Sequence, residues 1–173
     1  MVSKFRNGGQ TCVCPNRIYV QSAVHDKFVE KLVARVSALK VGPASHSDSQ
    51  IGPMINARAI DKIARHVDDA VSKGAEIATG GLRIRDAVAD GPNYYAPTVL
   101  INANSQMELC NEETFGPVAP IFRFTTEAQV IEMANDTPFG DRGHQRRGSC
   151  CRDRPVWGCQ RIGVWPRGFT LRP

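Results

Sequence analysis

The sequence predicts an α/β protein, a sheet with helices packed against it, and three observations carry that prediction. Segments with the alternating apolar pattern of strands are interleaved with segments whose apolar residues return every three or four positions. With 173 residues, 42% of them apolar, the chain is long enough to enclose a core and suits one domain or slightly more. The stretch 41–53 gathers glycine, proline, serine and aspartate between periodic segments, as a loop does.

The elements follow in order. Arg17-Ile18-Tyr19-Val20-Gln21 alternates in the β-branched and aromatic manner of a strand. Ser22 is placed to cap a helix whose apolar face is Val24, Phe28, Leu32, Val33, Val36 and Leu39. Asn56 is placed to cap a second helix, with Ile60, Ile63, Val67, Ala70 and Val71 as its buried stripe and Gly74 as its left-handed stop. Residues 75–79 make a short strand closed by Gly80-Gly81, which completes a β-α-α-β unit. A polar, hairpin-like segment leads to a strand over 94–100, where Pro97, lacking an N–H for the ladder, predicts an edge position or a bulge. Another strand covers 118–124, and a short helix starts near Thr126 with Val130, Ile131 and Met133 turned inward. Beyond Gly140 the apolar period stops, so 141–173 is expected to be an irregular tail with no core element.

Charge and cysteine usage exclude several classes of function. The net charge of +5 is concentrated in the tail, where eight arginines, no lysine and two aspartates leave 14 basic against 15 acidic residues for 1–140. A nucleic-acid role would therefore rest on the tail alone, with its arginines on phosphate and two tryptophans on bases, and no recognition motif supports it. The six cysteines include the tight pairs Cys12/Cys14 and Cys150/Cys151 rather than the spread spacing of a secreted scaffold, which favours reduced thiols. There is no Cys-x-x-Cys, and His25, His46, His66 and His144 stand apart from one another, so no metal site is expected. Neither an apolar run long enough to span a membrane nor a signal-peptide pattern occurs, and the expected location is cytoplasmic.

The chemistry centres on Gly8-Gly9-Gln10-Thr11-Cys12, a cysteine set just after a glycine turn and just before a buried strand. A thiolate is a strong nucleophile and leaves well from a tetrahedral adduct, which suits attack on a carbonyl carbon. On residue type alone Cys12 also reads as a small buried apolar side chain. Cys14 lies two residues on; in an extended segment it would share a face with Cys12. It reads either as a packed side chain or as an oxidative partner of Cys12.

The string Lys4-Phe5-Arg6-Asn7-Gly8-Gly9-Gln10-Thr11-Cys12-Val13-Cys14-Pro15-Asn16-Arg17 resembles the cysteine motif of aldehyde dehydrogenases, most of all the succinate-semialdehyde branch. Phe5, Gly9, Gln10, Cys12 and Arg17 match the family pattern. A second string, Glu112-Glu113-Thr114-Phe115-Gly116-Pro117-Val118, is similar to the family's Glu-x-Phe-Gly-Pro-Val segment, although alone it would read as a surface acidic pair before a Gly-Pro turn. Intervening strings such as Lys40-Val41-Gly42-Pro43 and Tyr95-Ala96-Pro97-Thr98 also look familial, so the resemblance covers residues 3–140. It implies a partial three-layer α/β aldehyde dehydrogenase catalytic domain over 1–140, with the cofactor domain absent.

The resemblance also implies a reaction, the NAD(P)-dependent oxidation of an aldehyde such as succinate semialdehyde to its acid. Cys12 would add to the aldehyde to give a thiohemiacetal, its own N–H helping to hold the oxyanion. Hydride would pass to the nicotinamide and the thioester would be hydrolysed. Glu113 would hydrogen-bond the nicotinamide ribose and Phe115 would pack beside the nicotinamide. The residues that select NAD or NADP precede the cysteine in relatives, as do the water-activating glutamate and the asparagine of the oxyanion hole, and no position here matches them. The chain is thus expected to be inactive alone. Relatives are homo-oligomers, and this chain is expected to self-associate through exposed apolar surface.

Two other functional readings stay open: a cofactor-independent thiol esterase using Cys12, and a non-catalytic protein-binding module. For the tail, a shifted reading frame is one account. Arg161-Ile162-Gly163-Val164-Trp165-Pro166 can be encoded by bases that, read one position later, spell Ala-Leu-Glu-Tyr-Gly, a string typical of the family near this point.

Overall fold

The computed structural model describes residues 2–84, 93–136 and 162–165. A one-turn helix α1 (Val2–Phe5) runs into a 3-10 turn (Arg6–Gly9), then strand β1 (Arg17–Gln21) and helix α2 (Ser22–Ser37). Helix α3 (Ala57–Ser72) and strand β2 (Glu76–Thr79) complete the expected β-α-α-β unit. Two short strands, β3 (Arg83–Ile84) and β4 (Tyr94–Tyr95), pair antiparallel, as the two ends of a hairpin. Strand β5 (Thr98–Ile101), the short helix α4 (Glu108–Asn111), strand β6 (Val118–Phe124) and helix α5 (Glu127–Asn135) follow.

The main sheet has the order β2-β5-β6-β1, extended on the far side of β1 by strand β7 (Ile162–Trp165). Strand β2 runs antiparallel to β5, whereas β5, β6, β1 and β7 run parallel to one another. Successive strand residues face opposite sides of a sheet, and here both sides are covered. Tyr19, Leu100, Val118, Phe122 and Phe124 pack with Ile60, Ile63, Val67 and Ala70 of α3 and Val130 and Ala134 of α5. Ile18, Val20, Val99, Ala119 and Ile121 pack on the other side with Leu32 and Val36 of α2. The result is the three-layer α/β/α arrangement, each buried aliphatic side chain contributing about 1.5–3 kcal/mol of transfer free energy.

Asn56 caps α3 by accepting from the Ala59 N–H at 2.9 Å, and Thr126 caps α5 by accepting from the Gln129 N–H at 3.2 Å. Gly74 ends α3 at φ +96, in the left-handed region. Ser22 is not the cap of α2. Gln21 occupies that position without a side-chain bond, and the Ser22 hydroxyl instead donates to the Phe124 carbonyl at 3.0 Å, tying the start of α2 to the end of β6.

Three other expectations need correction. Val71 and Ile131 are exposed, because each stands next to a buried residue, Ala70 and Val130, and a helix turns adjacent positions apart by about 100°. Pro97 does interrupt its strand, splitting it into β4 and β5, but β5 lies between β2 and β6 rather than at an edge. The tail is not irregular throughout: Ile162–Trp165 pairs along β1, where a strand edge offers free N–H and C=O groups. The centre of the hairpin-like segment and the rest of 137–173 lie outside the described residues, and of the stretch read for a shifted frame, 161–166, only 162–165 are described. Among the described residues no helix is long and apolar enough to cross a membrane.

Candidate active site

Topology alone brings the two sequence motifs together. Strands β1 and β6 are parallel neighbours, with Ile18 opposite Ile121, so the segments that lead into them, 4–16 and 112–117, lie at the same end of the sheet. The first segment reverses direction through three consecutive left-handed residues, Asn7 (φ 50), Gly8 (φ 63) and Gly9 (φ 77). Asparagine tolerates that region and glycine occupies it freely. Gly9 also has no room for a side chain, since a Cβ there would lie 2.0 Å from the carbonyl oxygen of Gly116.

Gln10 fixes the turn to the loop before α3. Its Oε1 accepts from the Ile55 N–H at 2.9 Å, and its Nε2 donates to the carbonyls of Asn7 at 3.1 Å and Pro53 at 3.3 Å. A tight turn follows, closed by the Cys14 N–H on the Thr11 carbonyl at 3.0 Å. Its central residues are Cys12 and Val13, both exposed, and the Cys12 thiol is free. Cys14 is 4% exposed, with its sulfur 2.9 Å from the Thr11 hydroxyl. The segment is a turn rather than a strand, so the two sulfurs do not share a face, and Cys14 is a packed side chain.

Glu113, Thr114 and Phe115 follow α4. Thr114 is buried, whereas Glu113 is half-buried and the Phe115 ring is 40% exposed. The segment is held from α3, where His66 is fully buried with Nδ1 2.7 Å from the Thr114 hydroxyl and Nε2 3.2 Å from a Glu112 carboxylate oxygen. The His66 hydrogen bond, opposed by some desolvation, holds the Glu112 carboxyl below the usual carboxylate range, with Lys62 and Arg65 nearby acting in the same direction. Gly116 packs against Ile63, whose side chain a Cβ would meet at 2.4 Å.

Lys4, at the start of the first segment, is 3% exposed, its ammonium without a hydrogen-bond partner among the described residues. Burial drives its pKa down to about 8, while the nearby Cys14 and Glu113 push it up. Arg17, part of the sequence motif, is not at the site. Its guanidinium is buried and donates to the Tyr19 hydroxyl at 3.2 Å and to the carbonyls of Met133 and Ala134 at 3.4 and 3.3 Å, satisfying the last turn of α5.

Two groups at the site were not singled out from sequence. His66 stands three residues after Ile63 and one before Val67, within the buried stripe of α3, and its position on that apolar face was the available signal. Lys4 gave none, because a lysine beside a glycine turn reads as solvated. Among the described residues no group of three or more candidate ligands is placed to hold a metal ion.

An exposed thiol on a glycine turn is thus seated against an acidic-aromatic segment at one end of an α/β/α sheet. Residues 1–144 match the aldehyde dehydrogenase family, and the chain belongs to it. It is 49% identical over 140 residues to the glutarate-semialdehyde dehydrogenase of Pseudomonas putida, and 48% identical over 140 residues to a succinate-semialdehyde dehydrogenase [NADP(+)] of Escherichia coli. Each match takes in 81% of this chain and 28% of the relative, so the chain spans a little over a quarter of the length of these relatives. The succinate-semialdehyde dehydrogenase structure from Burkholderia pseudomallei superposes with a TM-score of 0.74 at 48% identity, over 79% of this chain and 27% of that one. A 3,6-anhydro-L-galactose dehydrogenase structure superposes with a TM-score of 0.76 at 29% identity, over 94% of this chain and 35% of that one.

Proposed function

We propose that this chain carries the nucleophile and the nicotinamide-side contacts of an NAD(P)-dependent aldehyde dehydrogenase, with a semialdehyde such as succinate semialdehyde as substrate. The observation that supports this most is the seating of the Cys12 turn on the Glu113–Gly116 segment through Gly9. It brings a free, exposed thiol and an exposed aromatic ring into neighbouring loops. The residues suit the cofactor: a half-buried carboxylate accepts from ribose hydroxyls, and a partly exposed ring offers a flat apolar contact. The similarity to the E. coli succinate-semialdehyde dehydrogenase [NADP(+)] supports this substrate and cofactor class.

In this reading Cys12 as thiolate forms a C–S bond to the aldehyde carbon, and the carbonyl oxygen becomes an oxyanion beside the Cys12 N–H. A dinucleotide held by Glu113 and Phe115 would supply the acceptor for the hydride lost from that carbon. The thioester left on Cys12 is opened by water, giving the carboxylic acid and the free thiol. Glu113 and Phe115 orient the nicotinamide end. Residues 1–140 are the catalytic portion in this proposal, 141–173 contribute nothing to the chemistry, and by themselves the 173 residues do not turn over.

The test has two arms. Treating the chain with p-nitrophenyl acetate and locating the acyl group by mass spectrometry should give acylation at Cys12, abolished in Cys12→Ala. Substituting residues 1–140 for the matching stretch of the P. putida relative should retain aldehyde-dependent reduction of the dinucleotide and lose it in Cys12→Ala. Turnover that survives Cys12→Ala in that chimera would overturn the proposal.

A further inference from the structure

We infer that His66 is a positioning residue for the segment bearing Glu113 and Phe115, acting through the Thr114 hydroxyl; the inference rests on the cofactor role proposed for that segment. His66 is fully buried, and both ring nitrogens are engaged by the segment: Nδ1 at 2.7 Å from Thr114 Oγ1 and Nε2 at 3.2 Å from Glu112 Oε2.

The ring's proton can be placed by elimination. The ionised Glu112 carboxylate only accepts, so Nε2 carries the hydrogen, Nδ1 is bare, and the Thr114 hydroxyl donates to it. Burial holds His66 below its ordinary pKa, with Lys62 and Arg65 pushing the same way against Glu112, which keeps that neutral tautomer. The consequence falls on the neighbours of Thr114. With its side chain pinned inward, Glu113 is left half-buried and Phe115 40% exposed. Glu112 also has Arg65 at 3.0 Å and Lys62 at 3.5 Å, but both are surface pairs and contribute little. The Thr114 bond is buried, and losing it strands a bare ring nitrogen away from water.

Positioning is separable from simple packing because each ring nitrogen has its own mimic. Asparagine at 66 presents an acceptor near the Nδ1 place, whereas glutamine presents a donor near the Nε2 place and nothing to Thr114. Thr114→Val removes the hydroxyl at constant shape, and Thr114→Ser keeps it. The experiment is NMR relaxation on the 173-residue chain without cofactor, reading backbone order parameters at Glu113, Thr114 and Phe115. Values near 0.85 are expected for wild type, His66→Asn and Thr114→Ser, and a fall below about 0.6 for His66→Gln and Thr114→Val, with α3 unchanged. Unchanged order in His66→Gln and Thr114→Val would overturn the inference, as would order lost throughout α3 in Thr114→Val. In the chimera with the P. putida relative, the KM for the dinucleotide in Glu113→Gln then reads the cofactor role separately. A raised KM supports it, and an unchanged KM removes that role while the order parameters still decide what His66 does.

Discussion

Gly9 and Gly116 meet backbone to backbone, so closely that a Cβ on Gly9 would stand 2.0 Å from the Gly116 carbonyl oxygen and 2.5 Å from its carbon. This contact joins two loops that are about a hundred residues apart in the chain, and it can form only where one partner has no side chain. Gly9 is also at φ +77, where an L side chain is strained.

Gly9→Ala therefore combines a left-handed penalty of about 1–2 kcal/mol with a backbone collision that no rotamer relieves. Urea unfolding should show a loss of roughly 3 kcal/mol or more. Gly52→Ala is the control, because a Cβ there meets nothing within 4 Å and the backbone is not left-handed. It should stay within about 0.5 kcal/mol of wild type. Equal midpoints for the two variants would mean that the loops do not touch.

The strands and helices were legible because each has a period and a cap that depend on local sequence: Asn56, Gly74 and Thr126 act where their residue types place them. The errors fell where a partner from elsewhere decides. Ser22 has the chemistry of a cap, yet the end of β6 supplies a carbonyl that takes its hydroxyl. Cys12 and Cys14 would face together on a strand, but the Thr11–Cys14 hydrogen bond makes a turn and separates them. Arg17 belongs to the cysteine motif in sequence and to α5 in space. Of the candidate site, Cys12, Glu113 and Phe115 stood in family-like strings; His66 did not stand out, because its contact is with a hydroxyl 48 residues away.

Gln10→Ala and Gln10→Glu test how the Cys12 turn is held. Alanine removes three hydrogen bonds, and about 1–2 kcal/mol should be lost. Glutamate keeps the acceptor for the Ile55 N–H but presents an oxygen to the carbonyls of Pro53 and Asn7, where the amide donates. Its thermal midpoint should therefore be at or below that of the alanine variant, and Cys12 should be alkylated by iodoacetamide at a changed rate in both. A glutamate variant as stable as wild type would mean that the bonds from Nε2 to the Pro53 and Asn7 carbonyls do not hold the turn.

The two side-chain caps have a signature of their own. Asn56→Ala and Thr126→Ala should each cost about 1 kcal/mol, whereas Asn56→Gly should cost only a few tenths, since glycine is itself tolerated at that position. Denaturant midpoints of the three variants, compared at one slope, check this. Equal losses for alanine and glycine at 56 would point to packing rather than capping.

Lys4 makes stability depend on alkaline pH in a direction opposite to most buried groups. Its folded pKa of about 8 lies below the ordinary 10.5, so below pH 8 both folded and unfolded chains hold the proton and the folded state bears the full cost of a buried charge. Between about 8 and 10.5 the folded chain has released the proton while the unfolded chain keeps it, and stability rises with pH. The full difference is on the order of 3 kcal/mol, of which about 1 kcal/mol should appear by pH 9. Burial pushes the Cys110 thiol up to about 11 from 9.0 and the Tyr95 phenol up to about 12 from 10.0. Above pH 9 the unfolded chain loses protons that these groups keep, which lowers stability and leaves pH 8 to 9 as the window for Lys4. Urea unfolding across that window should show wild type gaining stability, while Lys4→Met is more stable at pH 7 and has no such rise. A rise that persists in Lys4→Met would assign it to another group, and a methionine variant less stable at pH 7 would mean that the ammonium has a partner.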